Sequence, residues 1–335
     1  METSKTLAEQ NGNQSGAMLG ELTGDELLVQ NGNQAGSAMG ELTDDELLAQ
    51  NGSQAGVGVA EYFDELDKRP KILTFTANED GVELAFFFNR NNAGEEQQNP
   101  NISFQKSMDG GLTWEEHTID VYDPDDGDTS DLDVITLDEG ESVMFKGVNS
   151  ENFTVGDPEN DEGIYVGFYL DGSAAASGDI TSLINGVGGD ATVQSMQFYS
   201  MFYGCTGLTQ APALPATTLA SNCYRSMFYD CTGLTQAPAL PATTLADYCY
   251  NYMFNSCTGV TSHDVATLNN SSNTFNNNSS CASLTVHAET PPTIANNTIT
   301  GLKADCIIYV PAESVDAYKA AQYWSARASY IQAMP

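Results

Sequence analysis

Positive charge is scarce in this chain. Its 335 residues include 11 Lys and Arg against 46 Asp and Glu, which gives a formal net charge of −35 at pH 7. Nucleic acids and anionic membrane surfaces are bound through clusters of Lys and Arg that displace counterions. We therefore expect neither nucleic acid nor a membrane among the partners of this protein.

Long apolar runs are also missing. No stretch approaches the about 18 consecutive apolar residues of a membrane-spanning helix. The first ten residues, METSKTLAEQ, have neither a basic start nor an apolar segment, so we expect no secretory signal. Cysteine is absent before Cys205, and the odd total of seven favours assembly in a reducing cytoplasm.

Charge divides the chain into three parts. Residues 1–70 carry 3 basic and 13 acidic side chains, residues 71–190 carry 4 and 26, and residues 191–335 carry 4 and 7. With the patterns described below, this predicts a mainly β protein in three domains: an acidic repetitive anchor segment (1–70), an acidic β-sandwich (71–178) and a repeat domain (179–335).

The first part repeats every 20 residues. Gln10–Gln14, Gln30–Gln34 and Gln50–Gln54 recur in register, each followed by a short acidic amphipathic segment. Helices this short are marginal alone in water, so we expect a flexible segment. Duplicated motifs suit multivalent attachment, because each bound copy raises the effective concentration of the next. We predict that six leucines dock on a partner, the alternative being a solubilising acidic tail: Leu22, Leu27, Leu28, Leu42, Leu47 and Leu48.

The second part contains short β-type runs separated by turn residues. They predict a small antiparallel sandwich. The runs are Ile72–Thr76, Val82–Phe88, Ile102–Gln105, Val134–Leu137, Ser142–Lys146 and Ile164–Leu170. The short stretch Ser173–Gly178 that follows is interpreted as a spacer.

One motif in this part has a known structural role. Residues Ser107 to Trp114 (SMDGGLTW) resemble the Asp-box of sialidase propellers, in which the aspartate caps a tight hairpin turn and the tryptophan packs beneath it. A propeller repeats the motif in several blades, whereas this chain has one copy. We therefore expect a hairpin turn at Asp109 and no glycosidase activity.

Two acidic loops supply oxygen ligands of the kind that Ca²⁺ prefers. The EF-hand spacing is not met, so solvated loops are the main interpretation and calcium the alternative. No other cofactor is expected. The candidate calcium ligands are Asp123, Asp125, Asp157 and Asp161.

The third part repeats every 26 residues. Residues 205–220 are identical to residues 231–246, and the Met-Phe pairs at 201, 227 and 253 keep the same step. Fixed apolar positions at such a period predict stacked units that bury their faces on one another. The equivalent cysteines are then buried thiols, with disulfides or zinc as alternatives.

This repeat resembles the BspA-like leucine-rich repeats of Bacteroidota and their phages. The resemblance is carried by Leu208, Leu214, Pro215, Leu219 and Tyr224, with the Met-Phe pair at 227, Cys231 and Leu234. The ending 307–324 is similar to the strand and helix that cap such arrays. The resemblance implies a right-handed solenoid used for adhesion, with no catalysis attached to it.

Tyrosines recur near the seam of the repeat, beside the Asn- and Ser-rich run 269–280. Aromatic rings with amide donors form a platform for sugars, and a packing ladder is the alternative. The predicted glycan contacts are Tyr203, Tyr229 and Tyr250.

Together these features predict a non-enzymatic virion structural protein, similar to surface proteins of crAss-like phages. We expect a head fibre or capsid decoration protein, assembled in the host cytoplasm and exposed on the virion surface. Residues 1–70 would bind the capsid or another virion protein, and the repeats would bind a host-surface or mucus glycan or protein. We expect a homo-oligomer, with a trimer as the working assumption. The alternatives are a bacterial cell-surface adhesin and a phage tail fibre.

Overall fold

The computed structural model describes residues 71–90, 97–122, 129–158 and 162–335. The six predicted anchor leucines lie outside these ranges. Within them the protein is mainly β with antiparallel sheets, as predicted. None of the helices in the described ranges is long and apolar enough to cross a lipid bilayer.

The strands lie in two groups along the chain. The first group comprises β1 (Leu73–Ala77), β2 (Val82–Asn89), β3 (Phe104–Ser107), β4 (Glu115–His117), β5 (Asp120–Tyr122), β6 (Ile135–Leu137), β7 (Ser142–Lys146), β8 (Thr154–Asp157), β9 (Glu162–Asp171) and β10 (Ala174–Ser177). The second comprises β11 (Leu208–Gln210), β12 (Thr218–Leu219), β13 (Thr244–Leu245), β14 (Ser262–Val265), β15 (Ser283–Val286), β16 (Ile307–Val310) and β17 (Ile331–Ala333).

The helices are short. They are α1 (Ser182–Asn185), α2 (Val315–Ala320) and the 3-10 helices Ala312–Ser314 and Ser325–Tyr330. The last three lie between β16 and β17, so the expected strand and helix are present near the end of the chain, and β17 follows them and pairs with β16.

Two sheets, formed by the strands of the first group together with β11, bury phenylalanines against each other. One has the order β11-β10-β1-β7-β3-β4, and the other has the order β5-β2-β9-β8 with β6 beside β2. Phe75 of β1 stacks on Phe168 of β9 at 4.4 Å between ring centroids, and Phe86 of β2 meets Phe145 of β7 edge-on at 5.0 Å. All six predicted strands of this part are present, and alternating burial along β1 and β7 directs one face of the first sheet inward.

The prediction of a spacer at residues 173–178 is wrong, because residues 174–177 of this stretch form β10. This strand pairs antiparallel with β1 and parallel with β11, so that the first sheet continues into the repeats. The ring of Phe202 in the repeats also packs edge-on against the ring of Phe168, with 5.3 Å between the ring centroids. Small alanines at positions 174 and 176 are fully buried where the two parts meet. The acidic part and the repeats therefore share one sheet and one hydrophobic core.

Successive repeats stack through backbone hydrogen bonds. We call the stretches 196–205, 222–231, 248–257 and 269–278 rungs 1 to 4. In rung 1 the N–H groups of Phe198, Ser200 and Phe202 donate to carbonyls of rung 2, while the N–H groups of Tyr199 and Met201 close local turns. Parallel pairs join the repeats again at β12–β13 and along β14–β15–β16–β17.

This alternation requires a left-handed residue at every fourth position of a rung. In rung 2 the φ angles of Asn222, Ser226 and Asp230 are 55°, 54° and 59°. Rungs 1 and 3 repeat the pattern, with Met196, Ser200 and Gly204 in one and Tyr248, Tyr252 and Ser256 in the other. A non-glycine residue in this region costs roughly 1–2 kcal/mol, so the stacking holds the rungs in a strained conformation.

Side chains inside the stack form columns. The apolar ladder Leu208, Leu234, Val260, Leu284 and Ile308 is fully buried. The thiols of Cys205, Cys231 and Cys257 donate to the carbonyls of Phe168, Phe202 and Phe228 at 3.3, 3.0 and 2.9 Å. In rung 4 the amide of Asn278 takes the place of the thiol and donates to the carbonyl of Phe254. All seven cysteines are buried thiols, as predicted.

The strained rung positions predict an unusual effect of glycine. Ser226→Gly removes the clash of a Cβ atom at φ 54° and should raise the free energy of unfolding by about 1 kcal/mol. Ser221→Gly is the matched control, because Ser221 has no positive φ and glycine there adds only chain entropy to the unfolded state. Urea denaturation measures both. Destabilisation of similar size in the two variants would contradict the strain.

Candidate ligand-binding surface

The tyrosines of the repeats occupy defined columns of the rungs. Phe202, Phe228, Phe254 and Phe275 stack inside the array at centroid distances of 5.5, 5.6 and 6.2 Å. The residue that follows each phenylalanine belongs to an outer column. This column contains Tyr203, Tyr229, Asn255 and Asn276.

Tyr203 and Tyr229 form the aromatic part of this column. Their rings stack at 4.8 Å with an interplanar angle of 11°. Because Tyr203 is the first member of its column, 54% of its surface stays exposed. The ring centroids of Tyr252 and Tyr229 are 6.4 Å apart. The guanidinium carbon of Arg225 lies 5.9 Å from the ring centroid of Tyr252. These four side chains form a cluster that we call the tyrosine face.

Two further tyrosines adjoin the face from rung 1 and from β9. Tyr199 meets Tyr165 edge-on at 5.2 Å. Burial, then the neighbouring Tyr229 and Asp230, raises the pKa of the Tyr203 phenol, and burial likewise raises the pKa of Tyr165. Both phenols therefore keep their protons at neutral pH. A protonated hydroxyl can both donate and accept a hydrogen bond, as a polyhydroxylated ligand requires.

Amides continue the same columns in rungs 3 and 4. The side chain of Asn276 donates to Asn255 Oδ1 at 3.4 Å, and Asn297 donates to Asn273 Oδ1 at 3.1 Å. The hydroxyl of Ser256 also donates to Asn255 Oδ1, at 3.0 Å. Along the array the column thus changes from rings to amides in equivalent positions, of which Asn255 is 4% exposed and Asn276 is partly exposed.

The prediction that Tyr250 contacts a glycan is wrong. Tyr250 is 1% exposed and lies four residues before Phe254, in the inner column of Phe198 and Tyr224. Tyr252 is the residue of that rung that reaches the surface. The sequence signal for this is that the equivalent residue of rung 1, four residues before the phenylalanine, is the apolar Phe198.

The Asp-box residues form the expected hairpin turn between β3 and β4. Asp109 Oδ1 accepts hydrogen bonds from the Ser107 hydroxyl at 2.8 Å and from the Thr113 N–H at 2.9 Å. Its other oxygen accepts from the Thr113 hydroxyl at 2.6 Å. The hydrogen bonds from Thr113 lower the pKa of Asp109 to about 2. Trp114 donates back to the carbonyl of Gly111, so the serine, aspartate, threonine and tryptophan of the motif all support the turn.

Of the four predicted calcium ligands, the structure describes Asp157 alone. Asp123, Asp125 and Asp161 lie outside the described residues, and Asp157 ends β8 opposite Glu162. Within the described ranges, no group of three or more His, Cys, Asp or Glu side chains could hold a metal ion.

A buried histidine instead organises the region before residue 123. His117 Nδ1 contacts Asp133 Oδ2 at 3.0 Å, and its Nε2 accepts a hydrogen bond from the N–H of Phe86 at 3.0 Å. The ring is therefore neutral with its proton on Nδ1. Lys106 Nζ reaches Asp133 Oδ2 at 3.0 Å, which pairs the carboxylate with a cation as well.

No protein-family model, curated protein or solved structure matches this chain. The function is therefore inferred from the surface and the sequence patterns.

Two buried histidines predict acid sensitivity. Burial lowers the pKa of His117 and of His263 to about 4 from 6.5. Between these values the unfolded chain binds more protons than the folded chain, so stability falls as the pH falls from 6.5 to 4. We expect a loss on the order of 3 kcal/mol for each histidine over this window.

Urea denaturation across that window tests the assignment. His263→Gln keeps a hydrogen-bonding group for Asn278, which lies 2.8 Å from the histidine Nε2, and should flatten the pH dependence. His287→Gln is the control, because the side chain of His287 is 52% exposed. If His263→Gln keeps the full slope of the unsubstituted protein, the buried histidine does not cause it.

Proposed function

We propose that this protein is a non-enzymatic display protein of a phage virion whose repeats bind carbohydrate on a host or mucus surface. The observation that carries the proposal is the tyrosine face, where Tyr203, Tyr229, Tyr252 and Arg225 lie beside columns of amides. Sugars bind through their apolar C–H faces and their hydroxyls, and this surface offers partners for both.

The architecture that we propose is a small β-sandwich followed by a leucine-rich-repeat solenoid. Face-to-face packing of the two phenylalanine-lined sheets supports the sandwich. The fully buried ladder from Leu208 to Ile308 and the parallel pairs between repeats support the solenoid. A stack of this kind gives repeated surface groups a fixed spacing, which favours extended ligands.

Charge supports the orientation of the display. The repeats carry only 3 excess negative charges over 191–335, whereas residues 71–190 carry 22. Anionic host surfaces repel the acidic part, so the nearly neutral repeats are the part that can approach them. The acidic part then acts as a soluble spacer.

The virion location rests on the N-terminal repeat and on the likeness of the repeats to those of Bacteroidota phages. Near-identical motifs 20 residues apart suit attachment to a repeated lattice such as a capsid. We place the protein there as a head fibre or decoration protein, a homo-oligomer assembled in the cytoplasm. A bacterial surface adhesin would use the same repeats without a virion partner.

Removing aromatic rings tests carbohydrate binding. Tyr203→Ala and Tyr229→Ala should each weaken binding to immobilised mucin glycans about tenfold, because a ring contact contributes about 1.4 kcal/mol. Tyr323→Ala removes a ring that is 40% exposed in the cap and should leave affinity unchanged. Biolayer interferometry gives the affinities and thermal melts exclude unfolding. Equal affinities for all four proteins would refute the assignment of the face.

Deleting residues 1–60 tests the location. Phage particles assembled with the truncated chain in place of the full chain should lack the protein, because the 20-residue repeats hold it to the particle. The purified truncated protein should still melt cooperatively. Quantitative mass spectrometry of purified particles gives the copy number. Incorporation at the full copy number would show that another part of the chain makes the attachment.

A further inference from the structure

Two of the seven cysteines lie outside the columns of the rungs. Cys205, Cys231 and Cys257 form one column, and Cys223 and Cys249 occupy equivalent positions in another. The remaining two, Cys281 and Cys306, follow rung 4 and precede β16. The odd total therefore divides into three, two and two.

The thiols of this last pair are in contact. Cys281 Sγ and Cys306 Sγ are 3.8 Å apart, although the residues are separated by 25 positions. Parallel pairing of β15 with β16 begins immediately after them, with Ser283 opposite Ile307 and the N–H of Ile307 donating to the carbonyl of Ala282. The backbone that follows each cysteine is thus held at the separation of neighbouring strands, a separation within the Cα–Cα range that a disulfide spans.

The column thiols differ in their partners. Cys231 and Cys257 each donate to a main-chain carbonyl of the preceding rung, and Cys205 donates to one of β9. Cys249 Sγ accepts from the amide of Asn269 at 3.5 Å. These contacts direct each sulfur toward a polar main-chain or amide group. Cys281 Sγ and Cys306 Sγ also lie near main-chain carbonyls, of Ser283 at 3.2 Å and of Ile307 at 3.7 Å, but in addition they contact each other.

A cation lies beside the pair. The guanidinium of Arg327 donates to the carbonyls of Lys303 and Leu302 at 2.8 and 2.9 Å, just before Cys306 in the chain. The hydrogen bond from the Cys281 thiol, followed by the charge of Arg327, lowers the pKa of Cys306 against the opposing effect of burial. The contact with Cys306, followed by burial, raises the pKa of Cys281, so Cys306 is the sulfur of the pair that ionises first.

We propose that Cys281 and Cys306 are a cross-linking site, which forms a disulfide between the last two units of the array when the protein meets a low-molecular-mass disulfide. The Cys306 thiolate attacks one sulfur of the oxidant and forms a mixed disulfide with it, while the oxidant's S–S bond breaks and its other sulfur leaves as a thiolate. The Cys281 thiol loses its proton and attacks Cys306 Sγ, which displaces the second half of the oxidant. Two protein thiols are oxidised and one external disulfide is reduced to two thiols.

The cross-link would fasten the end of the array. The final unit contains β16, α2 and β17, and covers the buried apolar ladder at Ile308. An array of stacked repeats opens most easily at its ends, because each end unit has one neighbour. A bond between the last two units removes this route of unfolding. The inference holds for any ligand of the tyrosine face and for any location of the protein.

Refolding in a glutathione redox buffer tests the site while every thiol is accessible. We expect the number of free thiols to fall from seven to five. Mass spectrometry of peptides from the unreduced protein should show one linkage, between Cys281 and Cys306. The melting temperature of the oxidised protein should exceed that of the reduced protein by about 5 °C.

Serine variants separate this pair from the column thiols. Cys281→Ser and Cys306→Ser should each abolish both the linkage and the oxidation-dependent rise in melting temperature. Cys223→Ser, in a column, should keep both. Seven free thiols after refolding in oxidised buffer, or a linkage between column cysteines, would overturn the proposal. A linked pair without a higher melting temperature would refute the stabilising role.

Discussion

The stacking of one rung on the next through backbone hydrogen bonds is the constraint on which the rest of the structure depends. Alternate N–H groups of a rung donate to the following rung, while those between them close local turns. A chain can satisfy both sets only if it turns back on itself regularly, which places every fourth residue at positive φ. Hydrogen bonds between rungs thus compensate for backbone strain within them, because buried N–H groups left unpaired would cost more.

The same constraint arranges the side chains. Each rung repeats its predecessor at a separation of about 5 Å, the usual distance between neighbouring strands. Equivalent residues therefore meet as columns, with phenylalanines and thiols inside and tyrosines or amides outside. Tyr203 and Tyr229 face each other at 4.8 Å for this reason, and the tyrosine face follows from the stacking itself. Where the repeat length changes from 26 to 21 residues between rungs 3 and 4, Phe275 keeps its column and Asn278 replaces the thiol.

Charge and burial are segregated along the chain. Stacked columns would bring like charges into contact, and the repeats contain few charged residues. In the described ranges of the acidic part, the interior between the two sheets is lined with phenylalanine. Where a charge is partly covered, as at Asp133, a lysine, a backbone N–H and a histidine surround it. The two parts then join through β10, which has no charged side chain.

Sequence alone determined six strands of the acidic part, the repeat length, the buried ladder and the hairpin at Asp109, since these depend on local alternation, periodicity and turn chemistry. It did not determine that residues 174–177 form a strand, because their small side chains are suited to burial only once β1 and β11 lie on either side. It also misplaced Tyr250, since inner and outer positions follow from the turn geometry of a rung rather than from the residue type. The contact between Cys281 and Cys306 was decided by tertiary structure, because only the parallel register of β15 and β16 brings together residues 25 positions apart.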